Sequence, residues 1–141
     1  MYHSITFGEK NTWDDWHLVP SSRPLFAPPA VKSKYVEIPG ANGAIDLTDA
    51  LTGAPLFENR QGSIDFIVVN GYGEWQERYS EILMYLHGKK MRAVLEDDPG
   101  YYYEGRFALD EWRSEPNWSS VTISYNVYPY KRSISTDEEK L

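Results

Sequence analysis

A long alternating pattern in residues 89–112 constrains this chain more than any other stretch of its sequence. Apolar and polar residues alternate on both sides of Asp98-Pro99-Gly100, which interrupts the pattern. A period of two with a polar opposite face indicates a half-buried antiparallel strand. Proline sets φ at the first central position of a turn, and glycine accepts the positive φ that a type II turn needs at the second. The stretch therefore predicts one long β-hairpin with a type II turn at its tip.

Three consecutive tyrosines follow this turn and predict that both faces of the second strand are covered. Alternation places Tyr102 on the face opposite Tyr101 and Tyr103. In a small sheet one face usually meets water, so we expect the cover to come from a helix or from a neighbouring subunit. Tyrosine and tryptophan combine an apolar ring with a polar tip, which suits sheets and wet interfaces.

One segment carries the period of a helix instead of a strand. Between residues 74 and 87 the apolar side chains recur at i, i+4, i+7, i+8 and i+11, namely Trp75, Tyr79, Ile82, Leu83 and Leu86. Gly88 follows at the position where glycine commonly ends a helix. The pattern predicts a single amphipathic helix over residues 74–87.

The remaining segments predict further strands joined by turns. Residues 20–29 hold four prolines and should form an extended loop or arm, because proline lacks the N–H that a central strand needs. Residues 57–70 are apolar on both faces towards their end and predict a central strand covered on two sides. Shorter strands are expected at residues 2–7, 34–38, 44–47 and 121–127, with a turn at 114–117. Residues 11–19 are expected to form a short strand or an ordered loop. The chain is thus expected to be mainly β with one packed helix, as an antiparallel β-sandwich or open barrel.

Charge and composition exclude several classes of protein. The formal net charge is −7, whereas duplex-DNA and anionic-membrane binders need an excess of Lys and Arg. No apolar run approaches the roughly 18–20 residues that span a bilayer. The absence of cysteine and of a signal-peptide pattern favours synthesis in a reducing cytoplasm. A chain of 141 residues with 41% hydrophobic content is expected to form one domain.

No group of residues has the spacing of a catalytic or metal site. The acidic pairs that suggest a glycosidase are Asp14-Asp15, Asp97-Asp98, and Glu104 with Asp110. Aspartate beside a Pro-Gly turn is explained by turn chemistry, and nothing in the sequence brings two of these carboxylates together. The histidines His3, His17 and His87 lie far apart, whereas zinc sites need clustered ligands. We expect no catalytic, metal-binding or cofactor-binding residues and therefore no enzyme.

The aromatic residues leave two interpretations open. One is a sugar-stacking platform of a carbohydrate-binding module, and the other is a set of core and oligomer-interface residues. The residues concerned are Trp13, Trp16, Tyr101, Tyr102, Tyr103 and Trp112. The interface interpretation is favoured, because covering both faces of the tyrosine strand requires packing beyond one sheet.

Several unusual strings, spread in order over residues 1–131, resemble the distal tail proteins of long-tailed phages. They are MYHSITFGEKNTWDDWHLVPSSRP, ALTGAPLFENR, YLHGKKMRAVLEDDPGYYYEGRF and ISYNVYPYK. The resemblance implies a non-enzymatic subunit with a β-structure and one helix, related in fold to tail tube proteins. It implies a ring, usually a hexamer, that joins the tail tube to tail-tip and receptor-binding proteins and lets DNA pass. Such a protein is located in the virion, at the distal end of the tail.

Many members of that family carry a second, C-terminal domain, whereas here the chain ends soon after Tyr130. We therefore expect a ring-forming domain over residues 1–131 and a flexible tail over residues 132–141. The expected partners are other copies of the chain, the tail tube protein and tail-tip or baseplate proteins, with no membrane and no specific nucleic acid. The candidate contact residues are Trp13, Trp16, Asp97, Asp98, Pro99, Gly100 and Tyr102.

Overall fold

A computed structural model describes residues 2–50, 52–69, 75–114 and 119–141. Within them the chain forms eleven strands and one helix, in the following order. The elements are β1 (Ile5–Phe7), β2 (Lys10–Asn11), β3 (Leu18–Pro20), β4 (Tyr35–Glu37), β5 (Ala44–Asp46), β6 (Arg60–Val68), α1 (Trp75–Leu86), β7 (Lys89–Leu95), β8 (Tyr101–Ser114), β9 (Ser119–Val127), β10 (Lys131–Ser133) and β11 (Glu139–Lys140). The turn expected at residues 114–117 and the predicted start of the helix at residue 74 fall largely outside the described residues.

The main sheet is antiparallel and curls into a half-barrel. Its strand order is β2-β1-β7-β8-β9-β6-β3, and β10 joins β8 at one side while also pairing with β11. β4 and β5 pair only with each other, as a separate two-stranded sheet. The predicted class, mainly β with one helix, is confirmed, and the single curled sheet corresponds to the open-barrel form.

The long hairpin is present, but its turn differs from the predicted type. β7 pairs with β8 from Lys89 opposite Phe107 to Ala93 opposite Tyr103. Gly100 does not have a positive φ, so the type II prediction was wrong. The Gly100 carbonyl accepts a hydrogen bond from the Ile134 N–H at 3.0 Å. This contact with the C-terminal segment helps to orient the Gly100 peptide, and the sequence around the turn does not reveal it.

The core lies on the concave side of the sheet, where α1 packs. Ile82 and Leu86 of α1 are fully buried and belong to the same cluster as Phe7 and Phe107, whose rings meet edge-on at 4.9 Å. The helix was predicted from this apolar stripe, and it ends at Leu86, one residue before the predicted end. Fully burying a large apolar side chain contributes about 1.5–3 kcal/mol, so this cluster dominates the stability of the fold.

The strand β6 is half-buried, which corrects the expectation of cover on two sides. Ile64, Phe66 and Val68 face the core, whereas Asp65 and Ile67 between them are exposed. The strand pairs with β9 along its whole length and with β3 only near its end. One face remains open because the single helix covers only the concave side of the sheet.

The two faces of the tyrosine strand are both covered, but by the chain itself. Tyr103 lies in the core against Phe26, with 4.3 Å between ring centroids. Tyr102 is 4% exposed on the other face, where the Arg92 guanidinium lies 4.4 Å above its ring and its hydroxyl donates to Asp137 at 3.0 Å. The expected cover by the helix or by a neighbouring subunit is therefore replaced on the Tyr102 face by Arg92 and the C-terminal segment.

The C-terminal segment, for which the sequence predicts a solvated tail, contains two short strands. β10 pairs with β8 at Arg132 opposite Tyr102, and with β11 at Arg132 opposite Glu139. Most of residues 132–141 are exposed, as a solvated segment would be, yet the backbone of β10 extends the sheet. The polar composition of this segment did not predict a strand, because the tyrosine rings at this pairing belong to β8 and not to β10.

The N-terminal strand is fixed to the hairpin through Glu96. The Glu96 Oε2 accepts hydrogen bonds from both the N–H and the hydroxyl of Ser4, each at 2.9 Å. These two bonds favour the carboxylate and lower the pKa of Glu96 below its ordinary value of 4.5. Because the folded pKa lies below the unfolded one, this contribution is complete above about pH 4.5 and is lost as the pH falls through the folded pKa.

We expect Glu96→Gln to lower Tm at neutral pH by about 3 °C, because the amide accepts hydrogen bonds without charge. The Tm difference between the two proteins should shrink between pH 5 and pH 3, since wild type alone loses the charged acceptor there. Thermal melts of both proteins across that range measure it. A difference that stays constant with pH would contradict the assignment to the Glu96 carboxylate.

Candidate interaction surface

Three of the carboxylates that could have suggested catalysis make contacts with basic side chains on the surface. Asp97 accepts a hydrogen bond from the His3 Nδ1 at 2.9 Å, and Asp98 pairs with the Lys131 Nζ at 2.5 Å. Glu104 pairs with the Arg92 Nε at 3.3 Å. Each carboxylate thus takes part in a structural contact of the hairpin or its neighbours.

The three histidines lie in separate environments. His3 pairs with Asp97, His17 meets the Trp13 ring edge-on at 5.3 Å, and the His87 Nδ1 accepts the Leu109 N–H at 3.1 Å. Among the described residues no group of His, Cys, Asp or Glu has the arrangement of a metal site. In that same part of the chain, no helix combines the length and apolarity needed to cross a membrane.

The hairpin tip at residues 97–100 is tied to the rest of the chain by its own contacts. Besides the hydrogen bond between His3 and Asp97 and the ion pair between Lys131 and Asp98, the Tyr101 N–H reaches the Asp98 carbonyl at 3.4 Å. Pro99 and Gly100 are exposed. The tip offers a partner a small polar surface in which both carboxylates are already paired.

The two candidate tryptophans occupy different environments. Trp16 is fully buried beside Phe7 and Tyr85 and therefore belongs to the core. Trp13 is partly exposed and stacks on Tyr2 with 3.8 Å between ring centroids. Trp16 thus presents no side-chain surface to a partner, whereas Trp13 does.

The aromatic residues considered for sugar stacking do not form one exposed row. Trp16, Tyr102 and Tyr103 are each at most 7% exposed. Trp112 is partly buried against Tyr79 of the helix, with 5.5 Å between ring centroids. A stacking platform needs adjacent exposed rings, so these residues do not build the groove of a carbohydrate-binding module.

A group of neighbouring exposed apolar side chains lies on a projecting hairpin that we call the arm, residues 30–58. A β-bridge between Val31 and Phe57 closes its base, and its outer part is the hairpin of β4 and β5. All six residues of these two strands are exposed. Hydrogen bonds from the Leu47 N–H to the Lys34 carbonyl and from the Lys34 N–H to the Thr48 hydroxyl extend the pairing towards the base.

The two faces of the arm hairpin differ in chemistry. Val36 lies directly opposite Ile45, so their side chains share one face, and alternation places Ile38 on it as well. Tyr35 lies opposite Asp46 and shares the other face with Glu37. One face is therefore apolar and the other is acidic. The apolar residues exposed by 38–47% in this hairpin are Val36, Ile38, Ile45 and Leu47.

A buried arginine holds the start of the arm against the barrel. The Arg60 side chain, only 6% exposed, donates from Nε to the Pro129 carbonyl at 2.9 Å and from Nη1 to the carbonyls of Phe26 and Ala27 at 3.4 Å. The hydroxyl of Tyr125 accepts the Ala27 N–H at 2.6 Å. These contacts fix the chain just before the arm leaves the barrel and just after it returns.

A groove of about 530 Å³ lies beside the base of the arm, on the convex side of the sheet. Its floor and walls combine tyrosine rings, amides and basic side chains. The lining residues are Asn59, Lys90, Tyr102, Glu104, Gly105, Arg106, Asn126, Tyr128, Tyr130 and Arg132. We call it the basic groove, because it holds three cations and one carboxylate in a chain of net charge −7.

Two cations of the basic groove have no carboxylate partner in the described part of the chain. The Lys90 side chain makes no hydrogen bond or ion pair there, and the Arg106 side chain donates only to the Gly88 carbonyl at 3.0 Å. Arg132 pairs with Glu139 at 3.5 Å. The Arg132 guanidinium also lies over the ring of Tyr128, which is 41% exposed. The groove is therefore suited to an anionic partner with aromatic or apolar groups.

The sequence predicted the arm as a second hairpin but did not identify it as a contact surface. One signal was available, because the apolar residues Val36, Ile38, Ile45 and Leu47 had no expected partner element. The basic groove had no such signal, since its residues come from four distant segments. None of the predicted contact residues except Tyr102 lines it.

Comparison with known proteins gives a likeness of fold. No family model matches the sequence, and no curated protein matches it. Among solved structures, the crystal structure of SPP1 Dit (gp 19.1) superposes with a TM-score of 0.69 at 16% sequence identity. That protein is described as a paradigm of the hub adsorption apparatus in phages that infect Gram-positive bacteria. The match covers 94% of this chain and 52% of that one, so this chain spans about half its length. This chain therefore has the fold of a phage distal tail hub protein.

Proposed function

We propose that the protein is a structural subunit of a phage tail tip that assembles into a ring of identical copies, six by the resemblance to distal tail proteins. The ring joins the tail tube to tail-tip and receptor-binding proteins at the distal end of the virion. It is not an enzyme. The fold shared with a phage hub protein supports this role, although the hub protein is twice as long.

The observation that carries the proposal is the uncovered apolar face of the arm. An isolated two-stranded hairpin is marginally stable in water, and no other described strand or helix of the chain pairs with this one. A neighbouring copy can supply that layer. The contact joins the arm of one copy to a different surface of the next, and such head-to-tail contacts close into rings when the rotation between copies permits it.

The charge of the chain is compatible with a channel that DNA crosses. A net charge of −7 repels phosphates, so a lumen with acidic walls would retain DNA weakly. This proposal requires no specific nucleic-acid contact. The partners are further copies of the chain, the tube and other tip proteins.

We expect Val36→Ser with Ile45→Ser to weaken assembly strongly while leaving the barrel folded. The two side chains form one cross-strand pair on the apolar face, and covering the exposed part of each, 39% and 46%, contributes about 0.6–1.3 kcal/mol. The dissociation constant should therefore rise about tenfold or more. Mass photometry and sedimentation over a concentration series measure the oligomer, and circular dichroism checks the fold.

A matched control removes exposed apolar groups elsewhere. Leu25→Ser with Met84→Ser changes two side chains that are 72% and 76% exposed, outside the arm. This control should assemble as wild type does. If the arm variant assembles at the same concentrations as wild type, the arm has no role in assembly. If the wild-type chain stays monomeric at high concentration, the proposed ring itself is overturned.

A further inference from the structure

We propose that the basic groove of one copy receives the acidic face of the arm from the next copy. This inference rests on the proposed ring and concerns only the acidic face of the arm, whereas the cover of its apolar face belongs to the proposed function. Two independent features carry it, the unpaired cations of the groove and the unpaired acidic face of the arm. Both are exposed, and they belong to opposite sides of a head-to-tail contact.

The acidic face provides the anionic groups. Glu37 and Asp46 lie diagonally across the two strands on the same face, since Glu37 is opposite Ala44 and Tyr35 is opposite Asp46. Hydrogen bonds from the side chain and backbone N–H of Thr48 lower the pKa of Asp46. Asp46 therefore stays ionised at neutral pH, and no cation is bonded to Glu37 or Asp46 in the described chain.

The basic groove provides matching groups. Lys90 and Arg106 supply two cations without carboxylate partners, and the exposed ring of Tyr128 offers an apolar wall for Tyr35. The volume of about 530 Å³ accommodates several side chains, which is the scale of one hairpin face. Opposite charges steer the encounter and fix the register, whereas like charges at a wrong register oppose it.

The groove is open to a second copy because the chain leaves it uncovered. Asn59 lines the groove just after the arm returns, and the Phe57 ring meets Tyr130 edge-on at 6.0 Å. The base of the arm therefore forms one border of the groove, while β4 and β5 pair only with each other. Each copy would insert its arm into the groove of one neighbour and receive in its own groove the arm of the other neighbour. The same contact then repeats around the ring.

The test is an exchange of charges within one chain. The arm variant carries Glu37→Lys and Asp46→Asn, in which asparagine keeps the acceptor for Thr48. The groove variant carries Lys90→Glu and Arg106→Gln. Each variant alone should weaken assembly at least about tenfold, as close charge pairs do across interfaces, and the weakening should diminish at high salt. The combined variant should regain most of the wild-type affinity, because the pair is restored with reversed sign.

A charge-matched control separates a local contact from net charge. Asp14→Asn with Glu81→Lys changes the net charge by +3, as the arm variant does, at exposed positions outside the arm and groove. This control should assemble as wild type. Thermal melts of all variants confirm that the barrel remains folded.

The outcomes distinguish this inference from the proposed function. If wild type assembles but the combined variant is no better than either single variant, the basic groove is not the acceptor and the ring proposal stands. Equal weakening by the control overturns the groove as well, because net charge alone then explains the effect. If wild type never assembles, both proposals fail together.

Discussion

Replacing Gly105 with alanine is expected to destabilise the fold by more than about 3 kcal/mol, the range of severe packing defects. Gly105 lies in β8, opposite Val127 of β9 and Met91 of β7. A Cβ atom at this position would lie 2.2 Å from the Asn126 carbonyl oxygen and 2.4 Å from the Val127 Cα. These are backbone atoms, so no side-chain rotation relieves the clash. The central strands would have to separate where β8 and β9 begin to pair.

Gly100→Ala serves as the matched control for Gly105→Ala. No atom lies within 4 Å of a Cβ built at Gly100, and its φ is not in the left-handed region. The alanine should change the free energy of unfolding by less than about 1 kcal/mol, with a small gain from the stiffer unfolded chain. Urea denaturation of both variants gives the two values. A Gly105→Ala protein within about 1 kcal/mol of wild type would show that β8 and β9 repack freely.

The Gly100 control also illustrates what the sequence could predict of the hairpin. Alternation around Asp98-Pro99-Gly100 predicted the hairpin correctly, because a period of two is a local property of strands. The turn type was not predictable from that tripeptide. The turn also receives a contact from far along the chain, because the Ile134 N–H reaches the Gly100 carbonyl from a segment that lies 34 residues away in sequence and was expected to be solvated.

The helix was predictable from its local sequence pattern, whereas the burial of β6 depends on tertiary packing. The stripe from Trp75 to Leu86 predicted the helix because one apolar face suffices to define it. The apolar run at Phe66-Ile67-Val68 suggested cover on both faces, yet Ile67 is 43% exposed. Which face of a sheet stays open depends on where the helix packs, and that is a tertiary property.

The candidate interaction surface was the least predictable part. Trp16 and Trp13 are three residues apart and equally aromatic, yet one is fully buried and the other partly exposed. The basic groove combines Lys90 of β7, Arg106 of β8 and Asn126 of β9 because antiparallel register brings them side by side. Sequence spacing cannot show such a cluster unless strand order and register are known.

The second large effect is expected for Arg60→Ala, which should lower the free energy of unfolding by about 2–4 kcal/mol. The guanidinium is the donor to the carbonyls of Pro129, Phe26 and Ala27. It also lies 5.4 Å from the centroid of the Tyr103 ring. Alanine removes this packing and leaves buried acceptors without their donor, and each such loss costs about 1–3 kcal/mol. The long 3.4 Å bonds contribute less than the 2.9 Å bond to Pro129.

Arg60→Lys and Arg60→Met separate charge from geometry at the same site. A buried ion pair can often be replaced by apolar residues without loss, because both charges leave together. The acceptors of Arg60 are backbone carbonyls, which remain after any substitution, so methionine should be nearly as destabilising as alanine. Lysine keeps the positive charge, but its single flexible ammonium group cannot reproduce the fixed planar arrangement of donors on the guanidinium. Lysine should therefore recover only part of the lost stability. Urea denaturation ranks the three variants. Methionine at wild-type stability would show that packing on Tyr103, rather than donation to the carbonyls at the arm's base, is what Arg60 contributes.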